Sequence, residues 1–129
     1  MPRQYENQLS GTVNVVTTTE TVALVTPPVS TTYSGDQIDI EGKINVTAGT
    51  STTAVVLRVR RGNGITGTVV GVAETDTEAA GASGSFPLQV VDTPGDVAGQ
   101  VYSLTVQQTA ATGNGTVNAA ASCVTVGSP

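Results

Sequence analysis

Hydrophobic positions recur at every second residue over short runs of this chain. In DQIDIEGKINVTA (36–48), Ile38, Ile40, Ile44 and Val46 share one parity, while Asp39, Glu41, Lys43, Asn45 and Thr47 share the other. Side chains alternate across a strand, so the run predicts a strand with one dry and one wet face. Gly42 falls on the dry face, which predicts a bulge or a close backbone approach there. TTAVVLRVRRG (52–62) repeats the pattern, with Val55, Leu57 and Val59 on one side and Val56, Arg58 and Arg60 on the other.

GTVVGVA (67–73) is again β-rich, and SGSFPLQVVD (83–92) sets Phe86, Leu88 and Val90 together. Pro87 lacks an N–H and so predicts an edge strand or a strand start. QVYSLTVQQT (100–109) aligns Tyr102, Leu104 and Val106. GTVNAAASCVTVG (115–127) aligns Val117, Ala119, Ala121 and Cys123 before the parity moves to Val124 and Val126, which predicts a bulge near 122–124. GTVNVVTTTETVALVTPP (11–28) reads as one long strand or two short ones broken near Thr18, stopped by Pro27 and Pro28.

The separators carry turn chemistry. Pro94-Gly95 suits the centre of a type II turn, AGTST (48–52) and EAAGASG (78–84) are small-residue loops, and Asn63-Gly64 and Asn114-Gly115 read as two hairpin tips. The expectation is an all-β fold, a single antiparallel β-sandwich or jelly roll of seven or eight strands over 11–129, preceded by a polar arm over 1–10.

Composition narrows the core and the chemistry. With 129 residues the chain makes about one domain. It has no Trp, one Phe and three Tyr, so that core is built from Val, Ala, Ile and Leu. The net charge of −5, with five basic residues, argues against nucleic acid, whose phosphates need clustered Lys and Arg. No stretch approaches the ~20 apolar residues of a membrane-spanning helix, and MPRQYENQLSG shows no apolar run of the kind a secretory leader needs, so the expectation is synthesis in a cytoplasm and no membrane partner. The lone Cys123 reads as a small buried hydrophobe.

Gly62, Gly64 and Gly67 have the G-x-G-x-x-G spacing of a phosphate cradle, but the β-branched TVVGVA follows where that motif needs a helix, so a nucleotide site is not expected. Without histidine and with one cysteine, neither a Ser/Cys–His nucleophile nor a zinc site is available. Asp39 and Glu41 share a strand face, as would Glu74, Asp76 and Glu78 in an extended stretch; these read as solvated faces rather than an acid/base pair in a cleft or a Ca²⁺ loop. Asn45-Val46-Thr47 and Asn114-Gly115-Thr116 match glycosylation sequons by chance in a Thr-rich chain. No catalytic residue, metal or cofactor is expected.

Partner-binding candidates remain. Arg58, Arg60 and Arg61 put three of the five basic residues within four positions, suited to docking on an acidic neighbour, against the plainer reading of an edge-protecting charged strand. Arg3 and Tyr5 lie in the polar N-terminal arm, which orders on a partner or remains a free terminus.

VVLRVRRGNGITG, VYSLTVQQTAATGNGTV and the short polar start together resemble the small trimeric jelly-roll head decoration, or cement, proteins of tailed bacteriophages. The resemblance is one of strand spacing and Thr/Val/Gly composition over about 10–126 and includes no invariant motif. It implies a non-enzymatic homotrimer on the capsid exterior of a virion, made in the host cytoplasm, binding the major capsid protein and reinforcing the shell, often through an N-terminal arm. The alternative is a receptor- or glycan-binding β-sandwich domain of a phage fibre, a reading weakened by the shortage of aromatic platforms.

Overall fold

The structure is a computed structural model that describes residues 3–8, 15–49, 54–74, 81–109, 113–118 and 122–128. Among the described residues ten strands run β1 (Arg3–Gln8), β2 (Val15–Val16), β3 (Thr21–Val25), β4 (Ile38–Thr47), β5 (Val55–Arg61), β6 (Val69–Glu74), β7 (Ser83–Asp92), β8 (Tyr102–Gln108), β9 (Gly115–Val117) and β10 (Cys123–Ser128). They form two antiparallel sheets. In sheet A, β7 lies on one side of β4 and both β9 and β10 on the other, with β2 and β1 outside them; sheet B has the order β3-β8-β5-β6.

β1 and β2 follow one another along a single edge: Gln8 faces Cys123 and Val15 faces Thr116, seven residues on in one strand and seven back in the other. Ten strands therefore occupy eight positions, four per sheet, and the chain changes sheet at every connection from β2 to β9 except β5 to β6. This is a jelly roll, as expected from the alternating pattern and the absence of helical periodicity.

The core is the set of inward parities. Ile38, Ile40, Ile44 and Val46 of β4, Leu57 and Val59 of β5, Leu104 and Val106 of β8 and Val124 and Val126 of β10 are all buried, with Phe86 packed against them from the side. Burial of such aliphatic side chains drives the two sheets together at about 25 cal/mol per Å² of apolar surface. β7, which contains Pro87, stands at the edge of sheet A, where a missing N–H costs no ladder bond. The stretch from Val15 to Val25 is two strands in opposite sheets, parted at 17–20 by a turn in which the Thr19 N–H donates to Thr17 Oγ1.

Four details differ from the sequence expectations. One of them is a matter of size: Asn63-Gly64 lies in the tip of the β5–β6 hairpin as expected, but within a seven-residue loop, 62–68, with positive φ at Gly62 and Gly64 and at no non-glycine residue described. Asn114-Gly115 joins no hairpin, because β8 and β9 belong to different sheets. The irregularity before β10 is larger than a one-residue bulge: six steps separate Val117 from Cys123 where three separate their partners Val46 and Lys43, a surplus of three residues. Ser122 Oγ accepts the Asn45 N–H at 2.9 Å, so a side chain replaces the missing ladder bond. Cys123, finally, lies on the outer parity of β10 and is half-buried, because its strand turns Val124 and Val126 inward. Ala119 and Ala121 lie outside the described residues, as do the tips of the loops 48–52 and 78–84.

The loop 62–68 folds back on sheet B and is pinned there. Ser103 Oγ donates to the Gly62 carbonyl at 2.6 Å and accepts the Gly64 N–H at 2.9 Å, while Arg60 Nη1 donates to the Gly67 carbonyl at 2.8 Å. A Cβ on Gly67 would stand 1.7 Å from the Arg61 carbonyl oxygen, so the third glycine of the trio is required by close approach. Gly67→Ala is expected to lower stability by about 1–3 kcal/mol through forced backbone displacement, read as a lower urea midpoint at unchanged slope.

Candidate functional site

The outer face of sheet B holds Arg58 and Arg60 in two rows that cross all four strands. Val22, Thr105, Arg58 and Val72 are successive cross-strand partners in one row, and Val25, Ser103, Arg60 and Val69 in the next. Because β5 turns Val55, Leu57 and Val59 inward, Arg58 and Arg60 project outward, as the alternation requires.

The turn at 17–20 places Glu20 over these rows. Arg60 meets it as a fork, Nε to Oε2 at 2.7 Å and Nη2 to Oε1 at 2.8 Å, and Thr105 Oγ1 donates to Oε2 at 2.6 Å. The Arg60 hydrogen bonds, opposed by burial and joined by the Thr105 bond and the charges of Arg60 and Arg58, hold the Glu20 carboxyl below its usual range. Arg58 is placed differently. Its Nη1 donates to Gln107 Oε1 at 2.7 Å and stands 3.7 Å from Glu20 Oε1, too far for a hydrogen bond.

Arg61 leaves this face altogether. It shares the inward parity of Val59 and closes one end of the sandwich, with Nε to Asp92 Oδ2 at 2.8 Å and Nη2 to Asp92 Oδ1 at 2.7 Å. The fully buried Tyr102, the cross-strand partner of Arg61, donates its hydroxyl to Asp92 Oδ2 at 2.7 Å. Asp92 is thus more than the lead-in to the Pro94-Gly95 turn: it ends β7 in sheet A and accepts from two residues of sheet B, so the trio ties the layers together. Burial pushes the Asp92 carboxyl up, but the Arg61 and Tyr102 hydrogen bonds, the Arg61 charge and the Thr93 N–H outweigh it and leave the group below its usual value. Burial, the bond to Asp92 and its charge push the Tyr102 phenol far above its usual value.

Residues 3–8 form β1 against β10 of the same chain, so this part of the predicted arm lies on the edge of sheet A. The side chains of Arg3 and Tyr5 lie outside the described residues. So do those of Glu74, Asp76 and Glu78.

Asp39 and Glu41 stand exposed on the outer face of sheet A. The shallow hollow beside them, about 470 Å³, is lined by Glu41, Gly42, Pro87, Leu88 and Gln89 and so contains one carboxylate, where glycoside hydrolysis by paired acids needs two. Asn45 of the first sequon donates to Ser85 Oγ at 2.8 Å and accepts from Asn118, which leaves its amide engaged. Among the described residues no three His, Cys, Asp or Glu side chains converge as metal ligands.

The residues that sequence reasoning missed are Glu20, Thr105 and Gln107 on the outer face and the Asp92–Tyr102 pair at the sandwich end. Asp92 and Arg61 carried a signal, since each continues the inward parity of its strand. Glu20 carried none, because its partner lies forty residues away on a different strand.

No protein-family model matches this sequence, and a search of curated proteins finds no match. Solved structures do share its fold. The T13 viral particle of infectious bursal disease virus aligns over 98% of this chain with a TM-score of 0.65 and 9% identity, and the VP2 subviral particle of that virus over 98% with a TM-score of 0.65 and 11% identity. This chain covers 31% and 32% of those two chains. Eiger TNF from S. frugiperda aligns over 99% of this chain and 92% of its own, with a TM-score of 0.56 and 12% identity. At these identities the likeness establishes the jelly-roll fold.

Proposed function

We propose that this chain is a non-enzymatic viral structural protein, a capsid decoration or cement subunit. It sits on the exterior of the head as a homotrimer and reinforces the shell by binding the major capsid protein. The observation that carries the reading is the fold: the whole chain corresponds to about a third of a viral capsid chain at a TM-score of 0.65. The resemblance of its strand spacing and composition to phage cement proteins favours a role outside the shell rather than in it.

Two physical features support an assembled state. The core has little aromatic surface to bury, so association adds apolar burial that the monomer lacks. Several large apolar side chains, Ile65, Val69, Val72 and Val91 among them, are exposed in the single chain. Closed cyclic symmetry is the usual outcome of such association.

Multi-angle light scattering of the purified protein is expected to give three chain masses at micromolar concentration. Imaging of head particles with and without the protein is expected to show added density at a fixed position on the outer surface. A monomer that adds no density would overturn the proposal, and a glycan-array signal without particle binding would favour a fibre domain.

A further inference from the structure

We infer that the outer face of sheet B, centred on Arg58, receives a carboxylate from an acidic segment of a partner protein. This deepens the decoration reading and rests on it, since the partner of a cement subunit is another protein. Of the three clustered arginines, Arg60 and Arg61 are each spent as a fork on a carboxylate of their own chain. Arg58 makes one hydrogen bond, from Nη1 to a neutral amide, and its Nε and Nη2 donors have no partner among the described residues. Those donors belong to a fork whose geometry matches a carboxylate.

The surroundings fit that ligand. Arg58 lines a groove of about 310 Å³ with Thr18, Val56, Gln107, Gln108 and Thr109; Val56 is its apolar wall, while the buried Gln108 amide is engaged with Gly113 and Gly115. Its cross-strand neighbour Val72 is 59% exposed and next to it in the same row, so an apolar side chain flanking the incoming carboxylate has a seat. On a chain of net charge −5, the described side chains of this face are two arginines and one glutamate; Glu74, opposite Val56, holds the next register position, so the attraction for an acidic segment is local to Arg58. A single available cation does not suit nucleic acid, whose binding rests on several neutralised phosphates.

A second copy of this chain is the less suitable occupant. Among the described side chains, its exposed strand carboxylates, Asp39 and Glu41, lie on the outer face of sheet A, across the sandwich from Arg58. Contacts between opposite faces are heterologous and leave an open stack of subunits unless the rotation between them closes.

The test uses the full chain, ¹⁵N-labelled, titrated with the peptide Ac-Val-Asp-Val-Glu-Val-NH₂ and with its neutral counterpart Ac-Val-Asn-Val-Gln-Val-NH₂. Saturable amide shifts are expected around Thr18, Arg58, Val72 and Gln107, with the neutral peptide at least about tenfold weaker, as the loss of a hydrogen bond to a charged group implies. Arg58→Gln is expected to abolish the shifts, and Val72→Asp, at an exposed position, to weaken them by repulsion. Lys43→Gln on the opposite face leaves them unchanged.

Equal binding of both peptides, shifts centred elsewhere, or full binding by Arg58→Gln would overturn the site. So would conversion of an assembled wild type to monomer by Arg58→Gln, which would make the occupant a second copy. Co-sedimentation with head particles separates this inference from the one beneath it. Wild type and Arg58→Gln binding particles equally would remove the site and leave the decoration role; a positive titration with no particle binding by the wild type would do the reverse.

Discussion

Asp92→Ala is expected to cost about 3 kcal/mol, the lower end of what breaking a buried ion pair costs, because Arg61 is exposed enough for its guanidinium to find water. The larger part of the loss falls on Tyr102, whose hydroxyl is fully buried and has Asp92 as its acceptor. For a domain of this length the loss corresponds to a thermal midpoint lower by roughly 10 °C. Thermal melts at pH 7 check it.

The same trio sets an acid dependence. The Asp92 carboxyl is below its usual value in the folded protein, so the folded state favours the ionised form. Its contribution is complete above the unfolded value of about 4 and is lost as pH falls through the lower folded value. Glu20 is shifted in the same direction and adds to the loss, so the informative comparison is between wild type and Asp92→Ala: their stabilities should converge below about pH 4. Parallel curves down to pH 2 would mean that Asp92 contributes no charge-dependent stability. Replacing the trio by Arg61→Met, Asp92→Leu and Tyr102→Phe together is expected to recover most of the deficit, because well-packed apolar groups often match a buried ion pair in stability. In that case the trio serves to align the end of one sheet with the other rather than to add net stability.

Much of the architecture was legible because one face of each strand is dry. The alternation in β4, β5 and β8 assigns the core residues of those strands, half of the buried hydrophobic set, and Pro87 correctly marks an edge. Loop geometry was less legible: Asn-Gly favours a tight hairpin locally, but whether the next strand pairs with the last one or crosses to the other sheet is decided by packing, as Asn114-Gly115 shows. The sequence pattern reads Cys123 as core because its parity matches Val117, and the irregularity that breaks that parity, bridged by the Ser122 hydroxyl, comes just before Cys123 rather than after it. The arginine cluster was visible as charge. Its division into an internal fork, an outer fork and one incompletely used guanidinium depends on Asp92 and Glu20, which are distant in sequence and brought close only by the sandwich.

The sequence places Gly42 among dry-face isoleucines, and the structure shows what the missing side chain makes room for. A Cβ there would lie 2.8 Å from Cδ2 of Leu104, across the core in sheet B, and 3.9 Å from Cγ2 of Val124. Leu104 is fully enclosed, so its methyl has nowhere to withdraw. Gly42→Ala is therefore expected to destabilise by about 1–3 kcal/mol through overpacking, despite the general advantage of Ala over Gly in a regular element. Leu104→Ala is expected to cost about 2–5 kcal/mol by leaving a cavity between β4 and β8. The two changes should not add. In the double variant the new methyl enters space that Leu104 has vacated, so the combined loss should fall short of the summed single losses by about 0.5–3 kcal/mol. Denaturant melts of the four proteins measure this coupling directly. A coupling of zero would mean that the close approach of the β4 backbone to Leu104 is not what keeps glycine at this position, and the contact between the two sheets at the centre of the core would have to lie elsewhere.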